Sequence, residues 1–481
     1  MIPVAVVLAV AAAVAAGFYA GWAAAAAAAC LAAALLIPPA PVGGYGLRLP
    51  VLFVAASLLV LLVGSRLARR GRARPGPHWL DAVVLVAVIL PAISTFRQSH
   101  DAVRSLAELV ELVGMLGLPY LVGRLVLTDA AALRVAAAVV VIGVTLSAPL
   151  CLVESVSRPA PLERVFGLEG PNINPAPMLL YHWGPSGYRP YGFTDGFFHL
   201  VLLQVSAVAL GLAWWRARRA APRGRRFPWR WVAGVGVAVN LAALLALSRS
   251  WAGVFLPLGT LGLMGLMRWT RWRWWLALAC LLVPAYVGLR ATEVIPTSPL
   301  PIRNPDGSEF LAGRGRSINS RTVDERSVLD AVAAHPWLGT GAAHRLPDGS
   351  YRLRRKYAVD SRAFTTLLRS GYVGLAALLL SMAGPALVAV WRVPPASWAT
   401  PDGLLVLAAA AILTALTINT LPNHGSHAIY PLIGGGLVTL TRRFGAPAEP
   451  DPEPPANREA EAWLRVFEIE RENQTRAASR G

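Results

Sequence analysis

The chain has 481 residues, of which 55% are hydrophobic and 15% are charged, and its formal net charge is +19. So little charge excludes a soluble globular protein of this size, whose surface would need more polar cover. Apolar runs of about 18 residues or more recur along the chain and predict a polytopic membrane protein. The basic residues cluster in short loops beside these runs, where they orient the chain in the membrane, so the charge implies no nucleic acid partner.

The apolar runs predict an all-α membrane helix bundle of about 12–13 transmembrane helices, because a helix satisfies every backbone polar group within its own segment. The first run, residues 2–37, is one long helix or a tight pair broken near Gly17. It lacks the basic start and the cleavage site of a signal peptide, so we expect it in the mature protein. The other predicted spans are 49–66, 79–96, 105–127, 130–153, 193–215, 229–248, 251–268, 273–290, 362–391, 403–421 and 426–441.

Basic clusters set the predicted orientation, because arginine and lysine accumulate in cytoplasmic loops. The span count places four such clusters on one side: 66–78, 216–230, 268–273 and 442–443. Two longer loops then lie outside, at about 154–192 and 291–361, and the second is predicted to contain short helices. The predicted domains are a transmembrane domain, 1–444, and a cytoplasmic Pro- and acid-rich tail, 445–481, with a short amphipathic helix around Trp463.

The sequence contains no phosphate-binding glycine loop, no HExxH motif and no Cys/His spacing typical of a metal site. Its three cysteines, Cys30, Cys151 and Cys280, lie in or beside apolar runs and predict no disulfide. A close carboxylate pair occurs only at Asp451 and Glu453 in the tail. ATP-driven transport and nucleotide-sugar chemistry therefore lack their usual groups, and we expect neither a metal nor a cofactor.

Polar residues that could carry chemistry lie on the predicted outer side. Arg249 stands where one span ends and the next begins, although an interfacial arginine there is explained equally well by its reaching the headgroups. Arg189 and Asp195 lie in a turn before a span, and a plain turn is the alternative. The large loop holds a predicted helix from Arg321 and an arginine-rich stretch that includes Arg355. Such charges are usually solvated, but converging arginines suit an anionic lipid headgroup or a diphosphate.

Three motifs in this order resemble the O-antigen ligase / O-antigen polymerase family of bacterial GT-C-type membrane glycosyltransferases. They are SRS at 248–250, the arginine-bearing helix leading to HPWLGTG at 335–341, and VDSRAFTTLLRSGYVGL at 359–375. The resemblance extends over roughly residues 80–440. It implies transfer of a glycan from an undecaprenyl-diphosphate carrier to a glycan or lipid acceptor, at the outer face of the bacterial cytoplasmic membrane. Many members have a His-Asn pair where this chain has Asp360-Ser361, which weakens a specific assignment as a lipid A-core ligase.

The resemblance implies roles for individual residues. The residues expected to bind the diphosphate are Arg249, Arg321, Arg189, Arg326 and Arg355. The first candidate for the general base is Asp360, followed by His335 and Asp195. Asp360 has an equally simple alternative role as the N-cap of the helix that follows it. The reaction would need no metal, because arginines can neutralise the leaving diphosphate.

Two other functions compete with glycan transfer. A transporter or flippase for lipid-linked oligosaccharides would bind and move the same lipids without forming a bond. It would be expected to have repeated halves and polar residues in mid-membrane, whereas the sequence has no evident repeat and only Glu108 and Glu111 as clear acidic exceptions within a span. A cell-wall glycan polymerase of the shape and division class would share the chemistry but not these motifs.

Overall fold

The computed structural model describes the chain in segments. They are 41–42, 47–48, 76–100, 102–156, 197–219, 229–247, 252–295, 309–341, 343–345, 351–353, 361–422 and 428–444. The helices are α1 Trp79–Ser99, α2 Ala102–Leu112, α3 Leu118–Val126, α4 Ala130–Val156, α5 Phe197–Arg219, α6 Trp229–Leu247, α7 Ala252–Thr270, α8 Trp274–Ala291, α9 Glu309–Ala333, α10 Arg362–Arg392, α11 Pro401–Asn419 and α12 Ile429–Phe444. A π-helical turn, Val113–Gly117, joins α2 to α3, and a 3₁₀ turn, Pro395–Ala399, precedes α11. Two short antiparallel hairpins pair β1 Pro41–Val42 with β2 Leu47–Arg48 and β3 Ala343–Arg345 with β4 Tyr351–Leu353.

The predicted helical membrane fold is confirmed. Within the described residues, 7 helices are long and apolar enough to cross a membrane, and every predicted span from 79–96 onward coincides with a helix. The predicted spans 2–37 and 49–66, the loop 154–192 and the tail from 445 lie outside the described residues, so the total span number stays a prediction. The predicted loop helix exists, but α9 begins at Glu309, earlier than the expected start at Arg321.

The bundle core is formed by α5 and α11. Their apolar windows are 78% and 83% buried, whereas the window of α8 is only 28% buried. A helix that is apolar all round and enclosed by neighbours belongs in the centre, and one with an exposed apolar surface faces lipid. The helices α4, α6, α7 and α11 all pack against α5. This core holds the remaining helices in fixed positions.

The helix ends next to the basic segments meet on one face. Arg134 at the start of α4 pairs with Asp402 at the start of α11 at 2.9 Å. Arg124 near the end of α3 pairs with Asp81 at the start of α1 at 3.1 Å. Large exposed tryptophans mark the same ends: Trp79, Trp231, Trp269, Trp272, Trp274 and Trp391. Tryptophan is typical of membrane interfaces, so these ends form one interface of the bundle. The opposite face, which carries α9, is called here the α9 end.

The helix α10 is broken at Gly371, whose backbone has φ 65° and ψ −167°. The break separates an N-terminal arm, 362–370, from the long remainder of the helix. It leaves carbonyl groups at the end of the arm and N–H groups at the start of the remainder without partners in the helix. In an apolar environment each such group costs several kcal/mol unless another donor or acceptor is supplied.

The HPWLGTG loop, residues 335–341, supplies those partners on both sides of the break. Thr340 N donates to Leu368 O at 2.8 Å, and Gly341 N donates to Arg369 O at 2.9 Å. Beyond the break, Tyr372 N donates to Pro336 O at 2.8 Å, and Val373 N donates to Trp337 O at 3.4 Å.

The side chain of Ser94 on α1 adds a third element to this junction. Its Oγ is within hydrogen-bond distance of two carbonyl oxygens, Arg369 O at 2.7 Å and Leu338 O. The loop, the broken helix and α1 are thereby fixed to one another.

Two glycines permit this close packing of backbones. A Cβ atom on Gly371 would lie 2.4 Å from the Trp337 carbonyl carbon, and one on Gly339 would lie 2.5 Å from Gly371 N. Both residues also have positive φ, 65° and 67°, a conformation that L-residues other than glycine adopt only at a cost. The motif glycines are therefore required by the junction itself.

We expect Gly371→Ala to lower the free energy of unfolding by at least about 2 kcal/mol, because it adds backbone strain to a steric clash. The measurement is thermal unfolding of the purified protein in detergent. Gly265→Ala in α7 is the matched control, since a Cβ there meets nothing within 4 Å and alanine favours a helix. Equal stability of the two variants would contradict the proposed role of the junction.

Candidate functional site

The polar side chains at the α9 end form two groups on opposite sides of the N-terminal arm. One face of the arm is apolar and buried against α8 and α9. The residues in this contact are Ala363, Phe364, Leu367 and Leu368 from the arm, Val283 and Val287 from α8, and Val328 and Val332 from α9. The other face of the arm carries Arg362 and Arg369, which are two helical turns apart. The arm is thus a partition between the two groups.

The first group is a buried cluster of Arg290, Tyr286 and Glu325, which joins α8 to α9. Arg290 Nε lies 3.0 Å from Glu325 Oε2, and each side chain is only 9% exposed. Arg290 Nε also donates to the Tyr286 hydroxyl at 3.0 Å, and that hydroxyl donates to Glu325 Oε2 at 3.1 Å. The three side chains satisfy one another, as a buried ion pair must if it is not to destabilise the fold.

The sequence places Glu325 in this cluster through the buried stripe of α9. Thr322, Glu325, Val328 and Val332 are all buried, with the spacing of one helix face. Burial raises the pKa of Glu325, while the charge of Arg290, the hydrogen bond from Tyr286 and the charge of Arg321 act in the opposite direction. The effect of Arg321 places that predicted diphosphate-binding residue within electrostatic range of the cluster, one turn before Glu325.

The other predicted site residues are arranged differently. Arg326 is exposed, on a different side of α9 from Glu325. His335 is also exposed and lies after α9 has ended. The helix between Arg321 and Ala333 is about 18 Å long, so the structure does not bring His335 together with Arg321. The remaining predicted site residues lie outside the described residues: Arg189, Asp195, Arg249, Arg355 and Asp360.

The N-cap of α10 is Ser361, so the interpretation of Asp360 as this cap is wrong. Ser361 Oγ accepts from Phe364 N at 3.3 Å and donates to Thr420 O at the end of α11 at 3.1 Å. A serine in extended conformation before the first helical residue is a favourable cap. Ser361 fills the capping role. The other role considered for Asp360, that of general base, stays a prediction.

The second group lies between the arm and α2. Glu108 accepts from Thr95 Oγ1 at 2.5 Å and pairs with Arg369 at 3.5 Å. Glu111, one turn further along α2, acts electrostatically on Arg362. The two acidic residues that the sequence places in a span therefore lie in the first third of the candidate span Ser105–Val126, toward the α9 end.

Residues 235–379 match the family model described as O-antigen ligase. This segment is similar to the O-antigen ligase family. No curated protein matches the chain. The match confirms the predicted resemblance and supports glycan transfer, with a lipid-linked glycan and an acceptor as partners, as the general activity of the chain. It runs from α6 into α10 and therefore includes the Arg290–Tyr286–Glu325 cluster, the HPWLGTG loop and Gly371.

Several residues of the matched segment are not predicted from the sequence. Arg290 and Tyr286 lie in the last turns of an apolar span, where an arginine is ordinarily taken to reach the headgroups. A signal was present, because Val283, Val287 and Arg290 are spaced on one face and all three are buried. Glu325 and Arg369 could not be singled out, because many other charged residues lie in the loops and at the ends of the spans. Nothing in the sequence indicates which residues they pair with. Within the described residues, no group of three His, Cys, Asp or Glu side chains could hold a metal ion.

We expect Glu325→Gln to lower the free energy of unfolding by about 3–5 kcal/mol, because it leaves the buried Arg290 charge uncompensated. The matched control is Arg134→Gln, whose ion pair with Asp402 is 43% and 34% exposed, and which should cost about 1 kcal/mol or less. Thermal unfolding measures both. The double variant Arg290→Met with Glu325→Leu should recover most of the loss, and a double variant as unstable as Glu325→Gln would argue against the pair.

We expect Ser361→Ala to cost about 1 kcal/mol of stability, since it removes the cap of α10. Asp360→Ala should leave the thermal unfolding temperature unchanged, because Ser361 and not Asp360 caps α10. A loss of stability in Asp360→Ala as large as that in Ser361→Ala would restore the structural interpretation of Asp360.

Proposed function

We propose that this protein transfers or polymerises a glycan from an undecaprenyl-diphosphate-linked donor onto an acceptor hydroxyl, at the outer face of the bacterial cytoplasmic membrane. The observation that carries the proposal is the Arg290–Tyr286–Glu325 cluster, which holds α9 and Arg321 against α8 within the matched segment. The α9 end is opposite the basic face, and basic loops favour the cytoplasm. A donor and an acceptor would therefore meet on the outer side.

Electrostatic stabilisation of the leaving group is the main task in this reaction. A lipid diphosphate is a weak base and needs little protonation as the glycosidic bond breaks. Guanidinium groups match its oxygens with paired hydrogen bonds and neutralise the developing charge, an effect that is large in a water-poor site. Arg321, Arg249 and Arg189 are the proposed contacts, together with Arg355. Arg326 is the least supported of the proposed contacts because it is exposed on another side of α9.

The acceptor hydroxyl must lose a proton as it attacks the anomeric carbon. Asp360 directly precedes Ser361, the cap at the start of the arm, and is our first candidate for the base, ahead of His335 and Asp195. An aspartate with its ordinary pKa of about 4 is a weak base, so partial burial would have to raise that pKa. The scheme uses arginines in place of a metal, so we propose a metal-independent transferase.

The alternative function is transport of a lipid-linked oligosaccharide without bond formation. Polar residues in the middle of the bilayer are typical of transporters. Glu108 pairs with Arg369 and Thr95 at the α9 end, and this position favours a reaction site at the membrane surface over a pathway through it. The match to the O-antigen ligase family also favours transfer.

We expect Arg321→Ala and Arg249→Ala to abolish the glycan product, because each removes a charge that stabilises the departing diphosphate. The measurement is transfer from a purified lipid-linked glycan by the protein in proteoliposomes, read as product length on a gel. Arg97→Ala, an exposed arginine in the last turn of α1, is the control and should behave as wild type.

The outcomes of this experiment distinguish glycan transfer from transport. Normal product from both variants would overturn the enzymatic assignment. Movement of the donor across the bilayer by wild type without any new glycosidic bond would establish the transport alternative. Asp360→Asn should also lose transfer while remaining folded, and full turnover in that variant would exclude Asp360 as the base.

A further inference from the structure

The arm of α10 divides the α9 end into two arginine-bearing sides. Arg290 belongs to the side of the arm that packs against α8 and α9, and Arg321 acts electrostatically on its partner Glu325 there. Arg362 and Arg369 belong to the opposite side, next to α2. An α-helix with its side chains is about 10 Å thick. One phosphate group cannot contact both sides of such a helix at hydrogen-bond distance.

The guanidinium of Arg362 is held in an unusual environment. Its Nη1 atom is enclosed and, among the residues that the structure describes, has no hydrogen-bond partner. A buried charged donor without an acceptor is costly, and native proteins rarely leave one. An uncharged side chain at this enclosed position would avoid that cost, so packing alone does not explain an arginine here.

Two charged residues act electrostatically on Arg362, one of each sign. Glu111 attracts it and Arg369 repels it, but Glu111 forms no ion pair with it within 4 Å among the described residues. Glu108, the nearest acid to Arg369, already interacts with Thr95 as well as with Arg369. An anionic group between the two arginines would relieve their repulsion and supply the acceptor that Arg362 Nη1 lacks.

We propose that Arg362 and Arg369 form a second anion site, which binds a phosphate group of the acceptor lipid. This inference rests on the proposed function, since a transferase must hold two substrates at once. Arg321 and its neighbours would then contact the donor diphosphate on one side of the arm. Arg362 and Arg369 would hold the acceptor on the other side, so the arm that starts at Ser361 lies between the two lipids.

The experiment measures binding of two phosphate-bearing lipids to the full-length protein in phosphatidylcholine nanodiscs. The probes are undecaprenyl diphosphate and phosphorylated lipid A, which represent a carrier-linked acceptor and a lipid A acceptor. The variants are Arg362→Gln, Arg362→Lys and Arg321→Gln, and the control is Arg97→Gln. Arg362→Lys keeps the charge without the two-pronged hydrogen bonds, and it carries the test if Arg362→Gln unfolds. Thermal unfolding of every variant is recorded alongside.

The expected result is that Arg362→Gln weakens one class of binding by roughly tenfold to a hundredfold, the range of a charge-assisted hydrogen bond. Arg362→Lys should give a smaller loss, and Arg321→Gln should leave that class unchanged. Loss of lipid A binding identifies a lipid A acceptor. A protein with a carrier-linked acceptor should bind two equivalents of undecaprenyl diphosphate. Loss of one equivalent in Arg362→Gln and of the other in Arg321→Gln identifies such an acceptor.

Other results overturn the inference in distinguishable ways. If Arg321→Gln weakens undecaprenyl diphosphate binding and Arg362→Gln weakens neither probe, the second site is wrong and the proposed function stands. If both variants remove the same single equivalent, the arm does not separate two sites. If phosphatidylglycerol competes as well as either probe, Arg362 binds bulk lipid only. If wild type binds neither probe, both proposals fail.

Discussion

The structure of the α9 end depends on one backbone junction. The break in α10 at Gly371 exposes carbonyl and N–H groups that a membrane environment does not tolerate unpaired. The HPWLGTG loop satisfies them on both sides, through Thr340 and Gly341 before the break and Pro336 and Trp337 after it. Because the loop directly follows α9, the same hydrogen bonds that make the broken helix possible also fix the end of the loop helix above it.

The broken helix gives the site its geometry. The arm before Gly371 is capped by Ser361, packed against α8 and α9 through its apolar face, and held at its far end by Ser94. A continuous helix would carry its first turns in one straight line with the membrane span. The break frees the direction of the arm, so that its two faces present different side chains to two separate spaces.

Charge at this end is balanced with few side chains. Glu325 compensates the buried Arg290, and Glu108 compensates Arg369. Arg321 acts electrostatically on Glu325, and Glu111 acts electrostatically on Arg362. Both arginines therefore lie close to the two ion pairs without belonging to either of them. The pairs therefore act as supports that hold the helices together. The neighbouring guanidinium groups are the ones that an anionic ligand would contact.

The sequence by itself determined the membrane class, the spans from residue 79 onward and the resemblance to the O-antigen ligase family through the HPWLGTG and VDSR motifs, because apolar length and short motifs are local properties. It also singled out Arg321, which the structure places beside Glu325. It left Asp360 open as either the general base or the cap of α10, and only the backbone conformation selects Ser361 as the cap. The tertiary structure alone decided the pairings Arg290–Glu325 and Glu108–Arg369, whose partners are far apart in the chain. It also decided that the Arg290–Glu325 and Glu108–Arg369 pairs lie on opposite sides of the arm, because which face of a helix meets which neighbour depends on packing and not on composition.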